Sequence, residues 1–391
     1  MSTRGPALVR LRKSLRRHAQ QGWARAVFAR PGEDEEPLVF EGPGSGVPDD
    51  AAVQALLEAA EAAARDGRVK QTLVLDERHR VRVDARHGRA RRVTLDEARA
   101  RKVMGGKDRA LRPDASASLL RVIGIMNDDG TISARSAKKY KQVNHFVELC
   151  RPVWERLCTL RPVTSTAPLR ILDLGCGNGY LGFVLIEALR LAQIPARLHG
   201  VDRRADFVQQ CRERAATLGR EGLTFAQAEI DAVTPDQTPL GGAPDLVVAL
   251  HACDTATDDA LALAVRAGAR SILAAPCCQR ELAEQLRHTR TDESVVPVPA
   301  LLQHSILRRG YAADLTDALR VELLEGCGYH VDAIEFVGSE HTPKNLLLRA
   351  HRRHPQSAVE PERWRLSEIR LRCRALGVEP QLLATLEREP D

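Results

Sequence analysis

The sequence predicts an α/β protein in which a mostly parallel sheet, covered by helices, follows a smaller N-terminal α+β domain. Three observations carry this expectation. From Ser136 to about Ile272, short apolar runs alternate with helix-length segments, the pattern of strands joined by crossover helices. One apolar run, residues 171–174, passes directly into a glycine-rich turn and then a helical stretch. Upstream, alternating segments around the turn dipeptide His87-Gly88 predict antiparallel hairpins.

In chain order, the Gly- and Pro-rich residues 42–48 read as a loop into an alanine-rich helix over 51–64. Strand-like segments follow at 71–75, 80–84 and 91–95. Residues 115–125 read as helical, and Asn127-Asp128-Asp129-Gly130 as a turn. After a helix over 139–160, strands are expected at 170–174, 197–201, 223–227, 245–250, 271–274, 330–337 and 345–350, the last two as an antiparallel pair closing the sheet. Residues 363–386 form a charged helical tail. The expected division is a basic α+β domain over 1–115, the sheet domain over 116–355 and the tail over 356–391.

With 391 residues, 43% of them apolar and 28% charged, the composition is that of a globular chain and excludes overall disorder. No apolar run approaches the roughly 18 residues that cross a bilayer, so the expectation is a soluble, cytoplasmic protein without a membrane partner. Nine cysteines without a repeated CxxC spacing are expected to be thiols. Charge is unevenly distributed. Residues 1–30 hold eight Lys or Arg and no carboxylate, residues 31–64 hold nine carboxylates and no base, and residues 65–115 hold twice as many bases as acids. Basic blocks of this kind suit a module that touches a polyanion, since each cation near a phosphate releases a counterion; a solvated arginine surface is the plainer alternative.

The most informative segment runs from Ile171 to Gly182, ILDLGCGNGYLG. A glycine turn between a strand and a helix lets backbone approach a ligand at the helix N-terminus. Gly177, Gly179 and Gly182 satisfy the spacing used for dinucleotides. Asp173, two residues before Gly175, instead favours a cationic sulfonium amino acid over a pyrophosphate. Asp202, ending the next strand, can hold ribose hydroxyls in either case.

DLGCGNGYLGF followed by GVD resembles the first two motifs of class I S-adenosylmethionine-dependent methyltransferases. The resemblance covers the C-terminal two thirds of the chain and implies an α/β, Rossmann-like class I methyltransferase sheet whose last strand is antiparallel. It implies S-adenosyl-L-methionine as cofactor. By position, Asp173, Gly175, Gly177 and Gly179 would surround the methionine part, Asp202 would hold the ribose and Glu229 would lie near the adenine amine. Lys141 and Gln142, on the helix before the first strand, could meet the cofactor carboxylate.

Ligands of such sheets sit beyond the carboxyl ends of the strands. There the fourth strand ends in Leu250-His251-Ala252-Cys253-Asp254 and the fifth in Pro276-Cys277-Cys278-Gln279. The Asn/Asp-Pro-Pro-aromatic motif of many nitrogen methyltransferases is missing. His251, Cys253, Asp254, Cys277 and Cys278 are expected to share a pocket in which His251 or Asp254 accepts a proton or clamps substrate. The alternatives are cysteines that merely fill apolar gaps, a thiolate nucleophile, or bound zinc, and no resident metal is expected. His-x-Cys-Asp, Pro-Cys-Cys and the segment 340–345 are similar to tRNA 2′-O-methyltransferases, which implies RNA (tRNA or rRNA) as partner, without an obligate protein partner. His304, Arg308, Arg309 and Tyr311 are expected in a connection that forms a substrate lid. Methylation of a protein or small molecule, and a non-catalytic cofactor-binding RNA or ribosome factor, are the competing readings.

Overall fold

The computed structural model describes residues 5–31, 36–43, 47–76, 79–94, 104, 106, 108–128, 130–288, 298–336, 345–354 and 363–388. It divides into two compact units, Met1–Tyr140 and Lys141–Asp391.

The first unit contains α1 (Gly5–Ala19), β1 (Arg25–Ala29), β2 (Leu38–Glu41), α2 (Asp50–Arg65), β3 (Lys70–Val74), β4 (His79–Asp84), β5 (Arg89–Thr94) and α3 (Ala117–Val122). The strands form an antiparallel sheet in the order β2-β1-β3-β4-β5. In α1, Ala7, Leu11, Leu15 and Ala19 recur every four residues and are buried, leaving Arg10, Lys13, Arg16 and Arg17 exposed. The apolar stripe meets Leu56, Leu57 and Ala60 of α2 in one core with Trp23, Phe28, Leu73 and Val81. Asp49 caps α2, its side chain accepting the Ala52 amide at 2.7 Å. The expected hairpin at His87-Gly88 joins β4 to β5, and the amides of both turn residues return to the Asp84 carbonyl. The edge strand β5 exposes Arg89, Arg91 and Arg92, a charged edge that discourages pairing with other chains.

Strands β1 and β2 and helix α1 lie in segments that the sequence reading treated only as charge blocks. The division also falls at Tyr140 instead of near Ala115. Residues 108–140 are tied into the first unit: Asp128 pairs with Arg25 at 3.3 Å, and the Tyr140 hydroxyl donates to the Leu111 carbonyl at 2.6 Å.

Helix α4 (Ala134–Leu160) leads into the second unit, which continues with β6 (Leu169–Leu174), α5 (Tyr180–Leu191), β7 (Ala196–Asp202), α6 (Ala205–Leu218), β8 (Leu223–Gln227), β9 (Leu246–Ala249), α7 (Thr255–Arg266), β10 (Ser271–Ala274) and α8 (Glu281–His288). After α9 (Ala300–Gln303) and α10 (Ser305–Gly326) come β11 (Tyr329–Glu335), β12 (Leu346–Arg352), α11 (Arg363–Leu376) and α12 (Gln381–Glu387). The seven strands run in the order β11-β12-β10-β9-β6-β7-β8, with β12 antiparallel to both neighbours. The expected α/β sheet with an antiparallel last strand is therefore present, with β12 inserted beside β10 and β11 at the edge.

Strands β9 and β10 are buried at every position and, apart from Ser271, apolar, as suits central parallel strands. At the opposite end of the strands from their carboxyl ends, Asp245 is buried and held by Arg161 at 2.6 Å and by the Arg170 amide at 3.0 Å. The expected C-terminal tail is instead part of this unit: Leu366, Ile369, Cys373, Val378, Leu382 and Leu383 are buried in the sheet core. Residues 308–311 lie on the long helix α10 and not in a loop, because the apolar positions Ala312, Leu319 and Leu323 keep a helical repeat that packs inward. Of the motif at 340–345, only Asn345 lies within the described residues; its amide donates to Glu335 at 2.8 Å. Among the described residues no helix is long and apolar enough to cross a membrane.

Candidate active site

The chain lays β7 and β8 on one side of β6, then returns to place β9 and β10 on the other. That reversal opens a crevice beyond the carboxyl ends of β6 and β9, where ligands of open α/β sheets sit. The glycine turn follows β6 and the His251 loop follows β9, so both face it. Between them is a cavity of about 520 Å³ whose lining includes Gly175, Gly177, Asp202, Glu229, His251 and Cys253.

Backbone conformation sets the turn. Gly177 has φ +55°, and its amide donates to Asp202 Oδ2 at 2.8 Å, fixing the end of β7 against the turn. Asp202 Oδ1 accepts the Arg204 amide at 2.9 Å. A carboxylate has about four acceptor directions, so both oxygens keep capacity for hydroxyl donors. At Gly179, φ +71°, a Cβ would lie 2.8 Å from both Cys211 Sγ and the Phe183 ring, so only glycine lets α5 start here.

Asp173 lies beneath the turn and is 2% exposed, with Oδ1 making no hydrogen bond. Burial, reinforced by the nearby Asp202 charge, pushes its pKa up to about 7. With a folded pKa above the ordinary 3.8, its stabilisation is complete below that value and is lost as pH rises toward about 7. The difference in melting temperature between wild type and Asp173→Asn is therefore expected to change across pH 4–7, with wild type losing ground by a few kcal/mol. A difference that stays constant over this range would show that Asp173 ionises normally.

His251 is exposed at its surface yet packs over the turn; a Cβ at Gly177 would sit 3.6 Å from His251 Cβ. Desolvation lowers its pKa, opposed by Asp202, so the imidazole is neutral at pH 7 and able to accept a proton. Asp254 is tied to neighbouring backbone. Its Oδ1 accepts the amides of Arg280 and Glu281 at 2.7 and 3.2 Å, tying the loop after β9 to the start of α8. Its own backbone is strained at φ +55° and is braced by Arg320, which donates to the Asp254 carbonyl at 2.9 Å. Asp254 thus braces the loop after β9 against the start of α8.

Parallel pairing of Leu246–Ala249 with Ser271–Ala274 brings the two post-strand segments side by side. Cys253 Sγ lies 2.9 Å from Cys277 Sγ, which lies 3.6 Å from Cys278 Sγ. Burial first, then contact with the other two thiols, pushes Cys277 up to about 12. Of the five residues expected in one pocket, His251 and Cys253 line the cavity; Asp254, Cys277 and Cys278 are not among its described lining.

Glu229 is exposed on the cavity wall. Lys141 is exposed and Gln142 half-buried on α4, and neither is among the described lining residues. The helix turns Val143, Phe146, Val147 and Cys150 inward instead. Sequence reasoning missed Arg204 and Phe207, which also line the cavity, the guanidinium standing 3.7 Å above the ring. It also missed Arg320, because its partners Asp258 and Asp317 come from different turns of two helices.

Residues 138–285 match the family model described as a methyltransferase domain. The chain is 25% identical over 239 residues to the human glutathione S-transferase C-terminal domain-containing protein, covering 55% of this chain and 33% of that protein. It is 27% identical over 146 residues to the Xenopus laevis protein of that description, covering 37% and 20%. The chain thus spans a third or less of the length of these curated relatives. Among solved structures it is similar to Synechocystis PCC 6803 magnesium protoporphyrin IX methyltransferase with bound S-adenosylhomocysteine, at 17% identity and TM-score 0.33, covering 60% of this chain and 93% of that one. A similar likeness is to a Podospora anserina methyltransferase bound to S-adenosylhomocysteine, at 15% identity and TM-score 0.33, covering 67% and 98%. Residues 138–285 thus form a methyltransferase domain that takes in strands β6 to β10 and the glycine turn.

Proposed function

We propose that this protein is an S-adenosylmethionine-dependent methyltransferase that methylates RNA, with the first unit holding phosphates of the substrate. The observation that carries the reading is a cavity of about 1020 Å³ within that unit, whose lining includes Arg30, Lys70, Arg121, Arg135 and Lys139. Asp128 is the one carboxylate among the described lining residues, and Arg25 pairs with it at 3.3 Å. The exposed faces of α1 and β5 add further arginines. Some of the basic block is already engaged: Arg12 meets Glu61 at 3.2 Å and Gln54 at 2.8 Å.

At the catalytic unit, we assign Asp202 to the ribose of the cofactor and Gly175, Gly177 and Gly179 to its methionine part. Asp173, with its orphaned buried oxygen, fits a cationic ammonium reaching the turn, and Glu229 on the cavity wall fits the adenine amine. When bound, S-adenosylmethionine supplies an electrophilic methyl group on a sulfonium. The chain's own contribution is positioning for in-line displacement, with neutral His251 accepting the proton of the attacking group and Asp254 holding the loop that carries His251. The likeness of the two post-strand motifs to tRNA 2′-O-methyltransferases supports a ribose hydroxyl as acceptor.

Two measurements test this reading. Radiolabel from S-adenosylmethionine is expected in RNA when the enzyme is added to RNA and protein fractions of a strain lacking it; label in protein alone overturns the RNA assignment. The Lys70→Glu/Lys139→Glu protein is expected to bind RNA at least about tenfold more weakly and with a shallower salt dependence, while the thermal shift given by S-adenosylmethionine is unchanged. RNA binding by wild type that is independent of salt would remove the phosphate-holding role.

A further inference from the structure

Five of the nine cysteines, Cys150, Cys176, Cys211, Cys327 and Cys373, are buried, as thiols that fill small core spaces should be. The cluster at the strand edge is different. Cys253 and Cys277 are exposed and Cys278 is half-buried, and their three Sγ atoms all lie within 4.8 Å of one another. Among the described residues, no other group of three or more metal-ligating side chains comes together in this way. Core packing does not account for it.

We propose that Cys253, Cys277 and Cys278 bind one zinc ion as three thiolates, leaving a fourth coordination position open. Zinc–sulfur bonds of about 2.3 Å in tetrahedral geometry put ligand sulfurs about 3.8 Å apart. The observed separations of 2.9 and 3.6 Å lie within about 1 Å of that spacing and the whole set lies within 4.8 Å, so small side-chain rotations suffice. A disulfide would instead need about 2.05 Å between two of them. Donor chemistry selects the ion: three soft thiolates disfavour magnesium or calcium, and iron–sulfur clusters are usually held by four cysteines. Three protein ligands plus one open place is the arrangement of a zinc site that takes an exogenous ligand.

The ligands are held in place without the ion. Cys253 precedes Asp254, whose carboxylate grips the amides of Arg280 and Glu281 just beyond Cys277 and Cys278. The register of β9 and β10 sets the same two loops side by side. On binding, three S–H bonds ionise, three protons pass to solvent and no electron moves, so the zinc tris-thiolate carries one net negative charge. Cys253 also lines the cavity with His251, which makes the fourth position available to a water or to the acceptor atom there. The site goes beyond the RNA reading and depends on neither that substrate nor its binding unit.

The test uses the full-length chain, reduced, handled without oxygen, loaded with zinc sulfate and desalted. Elemental analysis is expected to give about one zinc per chain, and the cobalt-loaded protein a thiolate-to-cobalt charge-transfer absorption in the near ultraviolet. Cys277→Ser and, independently, Cys253→Ser are expected to retain less than about a tenth of the metal, whereas Cys158→Ser, outside the cluster, keeps it. A thermal shift with S-adenosylmethionine in each variant confirms folding and keeps failure of the metal site distinct from failure of the cofactor site. Wild type holding no more zinc than Cys277→Ser, copper in place of zinc, or a Cys253–Cys277 disulfide persisting in the reduced protein overturns the proposal.

Discussion

Gly177→Val is expected to leave the chain folded and to weaken S-adenosylmethionine binding at least a hundredfold, about 2.7 kcal/mol. Two causes act together. Valine at φ +55° occupies the left-handed region that a β-branched side chain avoids, costing about 1–3 kcal/mol. The new side chain also grows beside His251, whose Cβ would be 3.6 Å from the added Cβ, at a position on the cavity lining. If the backbone relaxes, the 2.8 Å bond from the Gly177 amide to Asp202 is lost as well. Gly177→Ala separates the effects, since its Cβ makes only ordinary contact with His251 but keeps the backbone strain; a loss of about tenfold is expected. Titration calorimetry with circular dichroism as a folding control reads both. Unchanged affinity in a folded valine variant would place the cofactor elsewhere.

The largest stability effect is expected at Arg320, which is 1% exposed in the middle of α10. Its guanidinium makes two 2.8 Å bonds to Asp258, one of 3.2 Å to Asp317 and one of 2.9 Å to the Asp254 carbonyl. Arg320→Met removes the cation while leaving two buried carboxylates, a change that costs about 3–5 kcal/mol. For a unit of this size the melting temperature should fall on the order of 10 °C. Burial raises the Asp258 pKa and Arg320 opposes that rise, so without the arginine it climbs further. The variant should therefore recover part of its deficit as pH falls below neutrality and the orphaned carboxylate takes up a proton. Adding Asp258→Leu to Arg320→Met should restore stability at neutral pH, because an apolar pair avoids the desolvation that the ion pair only offsets. A loss below about 1 kcal/mol would mean that water reaches the carboxylates and the network is not sealed.

Much of the second unit was legible in local sequence. Strand β8 spans residues 223–227 and β10 spans 271–274, as expected, because Leu223 and Phe225 alternate with less buried neighbours in the one and Ile272 to Ala274 form a short apolar run in the other. Gly175, Gly177 and Gly179 all take positive φ, so the spacing of glycines encoded the turn itself. Elements were missed where local pattern is weak. Strand β2 is almost wholly exposed and shows no period, and α1 was hidden by its arginines although leucines recur beneath them.

The sequence by itself determined the succession of strands in the seven-stranded sheet, the glycine turn, and which residues follow β6, β7, β9 and β10. Only the tertiary structure decided how those residues share space. Strand register joins Cys253 to Cys277 across 24 positions of chain, and the same proximity turns Asp254 away from the cavity toward the α8 amides. It buries Asp173 against Asp202, and it folds α11 and α12 into the sheet core that the charged sequence of residues 363–386 had concealed. The physical reason is one of range: backbone preference and hydrophobic period act over a few residues, whereas desolvation, ion pairing and thiol contact depend on neighbours that only the closed sheet supplies.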